Sequence, residues 1–402
     1  MTRVKKNNID RIWNQKLIKD LGKERFKEIF SKSIEGIKIN PFYSSAKESF
    51  FYRNPKWKIL AEIKHISFKK SLDEINNIRE YNIQNIAIFN IDINEASQLV
   101  TKTKNQMNFF CFVKDNKIYS STESNPFLTI LSHDCFDIKT INLSKINRKK
   151  FKINIDSSPF KNIGCNIIQE VAYTLGMGNE YLNAYGKNIA SSICFELGQG
   201  GNYFFEIAKI QVIRRLWHLI TSHHENEITN VVIAAKPIIR NKTIKNYNNN
   251  LIRTTSECMS AILGGCDYIK SQAYDYLFND KNNFSENLML KQLLIIKEET
   301  NIDKVDNICE GSYYISYLIE NIMKESFNLF KKIENNGGFF KNLSSGVITK
   351  EIEKNNKKEI GLYQTKNKIL VGHNAYTDEN FNKNTSIERP YLFRNNFRIE
   401  NF

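Results

Sequence analysis

An α/β fold is predicted from this sequence: a (β/α)₈ TIM barrel with an N-terminal helical arm and a short C-terminal tail. Short β-branched or aromatic runs recur along the chain, namely "WKILAEI", "NIAIFNI", "NFFCFVK", "FKINID", "SSICFEL", "NVVIAAK" and "YIKSQAY". Amphipathic helical stretches separate them, and that alternation builds βα units and a parallel sheet. About seven strands with helices between them, spread over about 300 residues, fit an eight-stranded barrel. A doubly wound open sheet is the runner-up.

Residues 1–45 form the arm. Ile9, Trp13, Leu17, Ile18, Leu21, Phe26 and Phe30 make a helical apolar stripe interrupted by Gly22; such a stripe needs a surface to lie on, and a partner chain is the candidate. Residues 46–345 hold the barrel. Within them, Phe151–Leu175 reads as one βα unit whose loop, Ser157-Ser158-Pro159-Phe160, offers only two hydroxyls and a proline. Phe204–Ile220 is apolar around most of its circumference, as a helix packed on a sheet would be. Asn250–Leu263, Leu288–Glu299 and Ser312–Asn335 are further helices, the last stopped by Gly337-Gly338. Residues 346–402 are polar and strand-poor, a tail too short for a second α/β domain.

The chain has 402 residues, 41% hydrophobic and 12% aromatic, which is a globular composition. Its net charge of +15 would ordinarily point to nucleic acid or an anionic membrane. Here the lysines are scattered among about fifty asparagines, as in "NKTIKNYNNN" and "EKNNKKE", with no basic block or basic helix face. They read as a solvated surface, so no nucleic-acid partner is expected. Seven cysteines without a CxxC pair sit in apolar runs and suit reduced thiols in the cytoplasm. The N-terminus lacks a signal-peptide core, and no apolar run reaches the length of a membrane span.

Motifs for chemistry are weak. "ELGQGGNYFF" (196–205) joins a strand to a helix and could cradle a phosphate, but it lacks GxGxxG and a P-loop lysine; a tight loop needing small residues is the simpler reading. His65, His133, His218, His223, His224 and His373 show neither HExxH nor a zinc pattern. There is no GxSxG elbow. Asp92 and Asp156 follow strands, where an Asp is either a barrel-mouth group or a helix cap.

Collinear segments resemble the methylmalonyl-CoA mutase family. "IEGIKINPFY" (34–43) is similar to its "EGIxIxPxY" segment, and "FFEIAKIQVIRRLW" (204–217) to its "FFEIAKLRAxRxLW" helix. "LIRTTSECMSAILGGCDYI" (251–269), "LMLKQLLIIKEETNIDKVDNICEGSYYI" (288–315) and "LVGHNAY" (370–376) continue the resemblance over most of the chain. It implies an adenosylcobalamin-dependent isomerase acting on succinyl-CoA and methylmalonyl-CoA, with the CoA ester threading the barrel and cobalamin held by a further domain. The cofactor carries the radical chemistry and the protein positions it.

The chain departs from the family at its functional motifs. The cobalamin-binding DxHxxG does not occur. "FFYRNPKWKILAEIKH" (50–65) replaces a "TIRQYAGFSTAEE"-like segment, and "STESNPFLTILSHDCFDI" (121–138) stands where "GTIQND" and "RNTYIFPP" are expected. Counting back from Glu170, Ser158 and Pro159 occupy the positions of the active-site Tyr and His, with Gly164 in register. These departures resemble the small, non-catalytic β subunit of heterodimeric mutases, which lacks a working cobalamin domain. The expectation is therefore a chain with no catalytic, cofactor-binding or metal residues of its own, partnered by a large catalytic subunit that binds adenosylcobalamin. Phe109, Phe110, Phe112 and Phe89 are expected to fill the barrel. The alternative is the catalytic barrel of a split mutase, which would need the Tyr-His pair and a substrate-binding arginine.

Overall fold

The computed structural model describes residues 2–44, 56–104, 106–113, 128–132, 151–222, 231–279 and 282–377. The arm is α1 (Thr2–Glu28), and its helix breaks at Gly22, whose φ of 79° is outside the helical region. A two-stranded antiparallel ladder follows, β1 (Ser31–Lys32) with β2 (Lys38–Ile39). Ile9 and Leu21 of the expected stripe are exposed, whereas Trp13 stacks on Phe42 with ring centroids 5.0 Å apart.

Eight parallel strands then close on themselves: β3 (Lys58–Lys64), β4 (Asn85–Ile91), β5 (Asn108–Val113), β6 (Leu128–Ser132), β7 (Phe151–Asp156), β8 (Ile193–Gln199), β9 (Val232–Pro237) and β10 (Tyr268–Ile269). Tyr268 pairs with Lys58 on one side and Ala234 on the other, so the two-residue β10 closes the ring and rules out the open sheet. The helices α2 (Phe68–Glu80) and α3 (Ile93–Lys102) follow β3 and β4. The short α4 (Ser158–Asn162) and long α5 (Ile167–Tyr185) follow β7, α6 (Tyr203–Ser222) follows β8, and α7 (Asn249–Gly264) follows β9. After β10 come α8 (Asn283–Glu298), α9 (Tyr313–Asn335), α10 (Phe339–Ser344) and α11 (Val347–Gln364).

The main core lies between strands and helices. Strand side chains alternate between that layer and the barrel interior: on β5, Phe109 and Cys111 join the outer core while Phe110 and Phe112 point inward. This corrects the expectation that Phe109 fills the barrel, because it is one residue out of phase with the other two. Against the outer face, Trp217 of α6 meets Phe195 edge-on at 5.0 Å. The ring reaches the sheet because α5 carries Gly178, where a Cβ would lie 2.6 Å from Trp217 Cζ3. An N-terminal capping box of Asn166 and Gln169 starts α5, and Ser312 caps α9.

The strand-poor stretch read as a tail begins with the 18-residue α11, which is docked on the barrel. Its contacts converge on one loop.

Candidate active-site region of the barrel

Catalytic groups of a barrel enzyme come from the C-terminal ends of its strands and the loops beyond them. Here the strand ends carry ion pairs aimed at one another. Glu196 of β8 lies between two ammonium groups, Lys236 of β9 at 2.7 Å and Lys270, just past β10, at 2.9 Å. Lys236 also meets Asp156 of β7 at 2.9 Å, and Lys270 meets Glu62 of β3 at 2.7 Å. Asn154 donates to Glu196 Oε2 at 3.2 Å. Burial alone would push the Glu196 carboxyl up; Lys236 and Lys270 overcome that and hold it well below the usual carboxylate range. Burial would lower Lys236, but Asp156 and Glu196 raise it well above an ordinary lysine. Each charge on the axis has an opposite charge beside it, which offsets the cost of burying it.

Beside it, Phe89 and Phe112 stack at 4.2 Å with planes 6° apart, and the Lys270 ammonium lies 5.5 Å and 5.9 Å from their centroids. The rings and the Lys270 chain together fill the middle of the axis.

The loop after β7 is fully used in packing. Ser157 Oγ donates to the Glu196 carbonyl at 3.2 Å, and the Ser158 N–H donates to Asp156 at 2.9 Å. Pro159 sits in the first turn of α4, and Phe160 packs edge-on against Tyr173 and Phe339. Behind this loop lies a second buried charge cluster. Lys209 meets Glu170 at 2.9 Å and Glu206 at 2.5 Å, and Lys161 meets Glu206 at 3.3 Å and Glu170 at 3.6 Å. The Gly198 N–H donates to Glu170 at 3.0 Å, and Lys209 also donates to the Gly198 carbonyl. The four charges balance, tying α4, α5 and α6 to the end of β8.

Over the same mouth lies α11. Asn355 donates to the Gly164 carbonyl at 2.6 Å and accepts from Asn166. Arg240, from the loop after β9, joins the Asn162 carbonyl, Asn356 and Glu359. Glu359 also receives Lys368 at 2.6 Å. Burial would raise the Glu359 carboxyl, but Lys368 and Arg240 pull it down to about 2. Gly164 allows the close approach: its φ is 110°, and a Cβ would lie 2.8 Å from Asn356 Cβ. Between α11 and the barrel loops remains a cavity of about 620 Å³. Of its cations, Lys161, Arg240 and Lys368 face carboxylates, and Arg253 donates to Thr243, Asn250 and the Val371 carbonyl.

The two aspartates divide as their alternatives allowed. Asp92 caps α3, accepting from Asn94 N–H at 2.8 Å, while Asp156 belongs to the axial network. In the glycine-rich turn, a Cβ on Gly198 would sit 2.9 Å from Ile238 and one on Gly200 3.1 Å from Glu206, so close packing explains the small residues there. His65 is buried between Ser71 at 3.0 Å and Glu95 at 3.2 Å. His133, His223 and His224 lie outside the described residues, among which no group of three potential metal ligands occurs. The charged side chains of the interior were missed in the sequence, although a signal was there: Glu196, Lys236 and Lys270 interrupt apolar strand runs.

The family model for methylmalonyl-CoA mutase matches residues 118–393, more than half of the chain. The chain belongs to the methylmalonyl-CoA mutase family. It is 30% identical over 234 residues to a methylmalonyl-CoA mutase small subunit of Porphyromonas gingivalis, covering 56% of this chain and 38% of that one. A methylmalonyl-CoA mutase of Cereibacter sphaeroides is 28% identical over 242 residues, 58% of this chain and 34% of the other. The human mitochondrial methylmalonyl-CoA mutase is 28% identical over 261 residues, 62% and 34%. The match thus spans little more than a third of these relatives. Among solved structures, a Plasmodium falciparum HPPK-DHPS aligns with a TM-score of 0.37 at 10% identity, over 64% of this chain and 49% of that one. So loose a likeness adds nothing to the mutase assignment.

Proposed function

We propose that this chain is the small, non-catalytic subunit of a heterodimeric methylmalonyl-CoA mutase. Its large partner would bind adenosylcobalamin and interconvert succinyl-CoA and methylmalonyl-CoA. The observation that carries the reading is the filled axis: the Phe89–Phe112 stack and the Glu196–Lys236–Lys270 network occupy the path a CoA ester would thread. Ser158 and Pro159, in the expected register of the Tyr-His pair, are committed to the first turn of α4. Similarity to a curated small subunit supports the same conclusion.

The residues at the mouth do not fit a corrin cofactor. Among the described residues no histidine lines the cavity under α11, and its Lys161, Arg240 and Lys368 are already paired with carboxylates. No step of the reaction is therefore assigned to this chain. Its contribution is a stable scaffold, with α1 extending from it and its exposed apolar residues Ile9, Ile12 and Leu21 offered to the partner. Among the described residues no helix is long and apolar enough to cross a membrane, and we place the complex in the cytoplasm on the cysteine usage.

Co-expression with a candidate large subunit tests the reading. The two chains should co-purify, and the large subunit should lose activity or melting temperature without this one. Purified alone, the chain should neither turn over methylmalonyl-CoA nor bind adenosylcobalamin in a histidine-ligated form. Turnover by the chain plus a separate cobalamin-binding domain would establish the split-mutase alternative instead.

A further inference from the structure

The lower half of the barrel is not filled. A cavity of about 290 Å³ lies on the axis below the Phe112 and Lys270 plug. It opens at the N-terminal ends of the strands, where Lys58, Asn108 and Val232 are the first residues of β3, β5 and β9. This is the end of the barrel opposite the usual catalytic mouth. Its walls are mostly apolar, from Leu60, Phe110, Phe112 and Ala234, with the paired Glu196 and Lys270 at the plug end, and its volume equals that of about ten waters.

Charge makes this cavity unusual within the molecule. Lys161, Lys209, Lys242 and Lys270 are buried and Lys236 is partly so, and each has a carboxylate oxygen within 3.3 Å. Two lysines at the cavity mouth have none among the described residues. Lys152 donates only to the Ser191 carbonyl at 2.6 Å, and Lys58 lies 5.8 Å from the Tyr268 ring centroid. Lys152 is half-buried, and burial lowers its pKa, the direction expected for an ammonium lacking a counter-charge. Tyr268 lines the cavity beside them.

We infer that this cavity is a binding site for a small amphipathic carboxylate, its head between Lys58 and Lys152 and its apolar body along Leu60, Phe110 and Ala234. A carboxylate there gives the exposed Lys58 and the half-buried Lys152 the opposite charge that neither meets among the described residues, while the body replaces water against the apolar part of the wall. The plug above limits the ligand to short chains and admits at most a fragment of a CoA ester. The inference does not depend on the subunit role proposed above, because no catalytic residue or partner enters it.

Isothermal titration calorimetry of the full chain with octanoate tests it, with octanamide as the uncharged control. Octanoate is expected to bind saturably at one site, and octanamide about tenfold or more weakly, the difference a charge-assisted hydrogen bond makes. Lys152→Met should weaken octanoate to the octanamide level. Ala234→Phe, which fills the cavity, should abolish binding of both, each variant being checked for wild-type circular dichroism. Absence of saturable octanoate binding to the wild type overturns the inference, as does equal binding of acid and amide. Binding that survives both substitutions lies elsewhere on the surface and overturns it too. Should Ala234→Phe fail to fold, Lys58→Met is the second variant, with the same expected weakening.

Discussion

The contact that holds α11 over the barrel mouth has a sharp pH signature. Glu359 receives Arg240 at 3.0 Å and Lys368 at 2.6 Å, and its carboxyl sits at about 2 against an ordinary value of 4.5. A displacement of about 2.5 pH units at about 1.36 kcal/mol each corresponds to about 3 kcal/mol of stability. Because the folded value is depressed, that contribution is fully present above about pH 4.5 and is lost as pH falls through it towards 2. Glu359→Gln keeps the shape and removes the charge. At pH 7 it should cost about 3 kcal/mol in urea unfolding, and the gap between wild type and variant should shrink to about half by pH 3. Hydrogen exchange at pH 7 should quicken in α11 and in the loop around Gly164, which Asn355 and Asn356 touch. A gap of constant size between pH 7 and pH 3 would show that ion pairing at Glu359 is not what docks the helix, and would falsify the argument.

The other predictions concern the plugged axis and the loop beneath α11. Glu196→Gln leaves Lys236 and Lys270 short of a shared counter-charge and should destabilise the fold by about 3 kcal/mol in chemical denaturation; unchanged stability would mean that Asp156 and Glu62 suffice. Phe112→Ala removes half of a buried stack and should cost about 3–5 kcal/mol, read from the same transition. Gly164→Ala imposes a positive φ on a residue with a Cβ and pushes that Cβ into Asn356, so it should lower the melting temperature, by an amount worth about 2 kcal/mol. Ser158→Tyr combined with Pro159→His should remain inactive in a methylmalonyl-CoA assay, because the axis above is still filled; measurable turnover would contradict the filled-channel reading.

Seven of the eight barrel strands were legible as apolar runs, because each carries enough β-branched or aromatic residues to stand out between helices. The eighth, "LTILS" of β6, is only five residues long and lies in a polar stretch, so neither length nor composition marks it. The small ladder of β1 and β2 was missed for the same reason, with two residues per strand. Helix α8 starts at Asn283, five residues before the apolar pattern does, because Asn282 caps it by accepting from the Ser285 N–H. The role of α11 could not be read at all. Its partners Gly164, Asn166 and Arg240 lie more than a hundred residues away in sequence, and a polar helix gives no periodic sign of where it docks.

The same limit governed the interior. A strand pattern tells which residues share a face, but not whether a lysine on that face meets a carboxylate or an empty cavity. Lys270 and Lys152 look alike in the sequence, each set beside an apolar run. One is matched twice, by Glu62 and Glu196; the other meets, among the described residues, a backbone carbonyl. Since an ammonium in low dielectric is costly unless a negative charge lies close, the buried Lys270 needs its carboxylates, whereas the half-buried Lys152 at the cavity mouth remains free to meet one. Upper and lower halves of one barrel therefore differ: the upper half has its charges paired with one another, and the lower half carries two ammoniums that meet no carboxylate among the described residues, which is what the proposed ligand would supply.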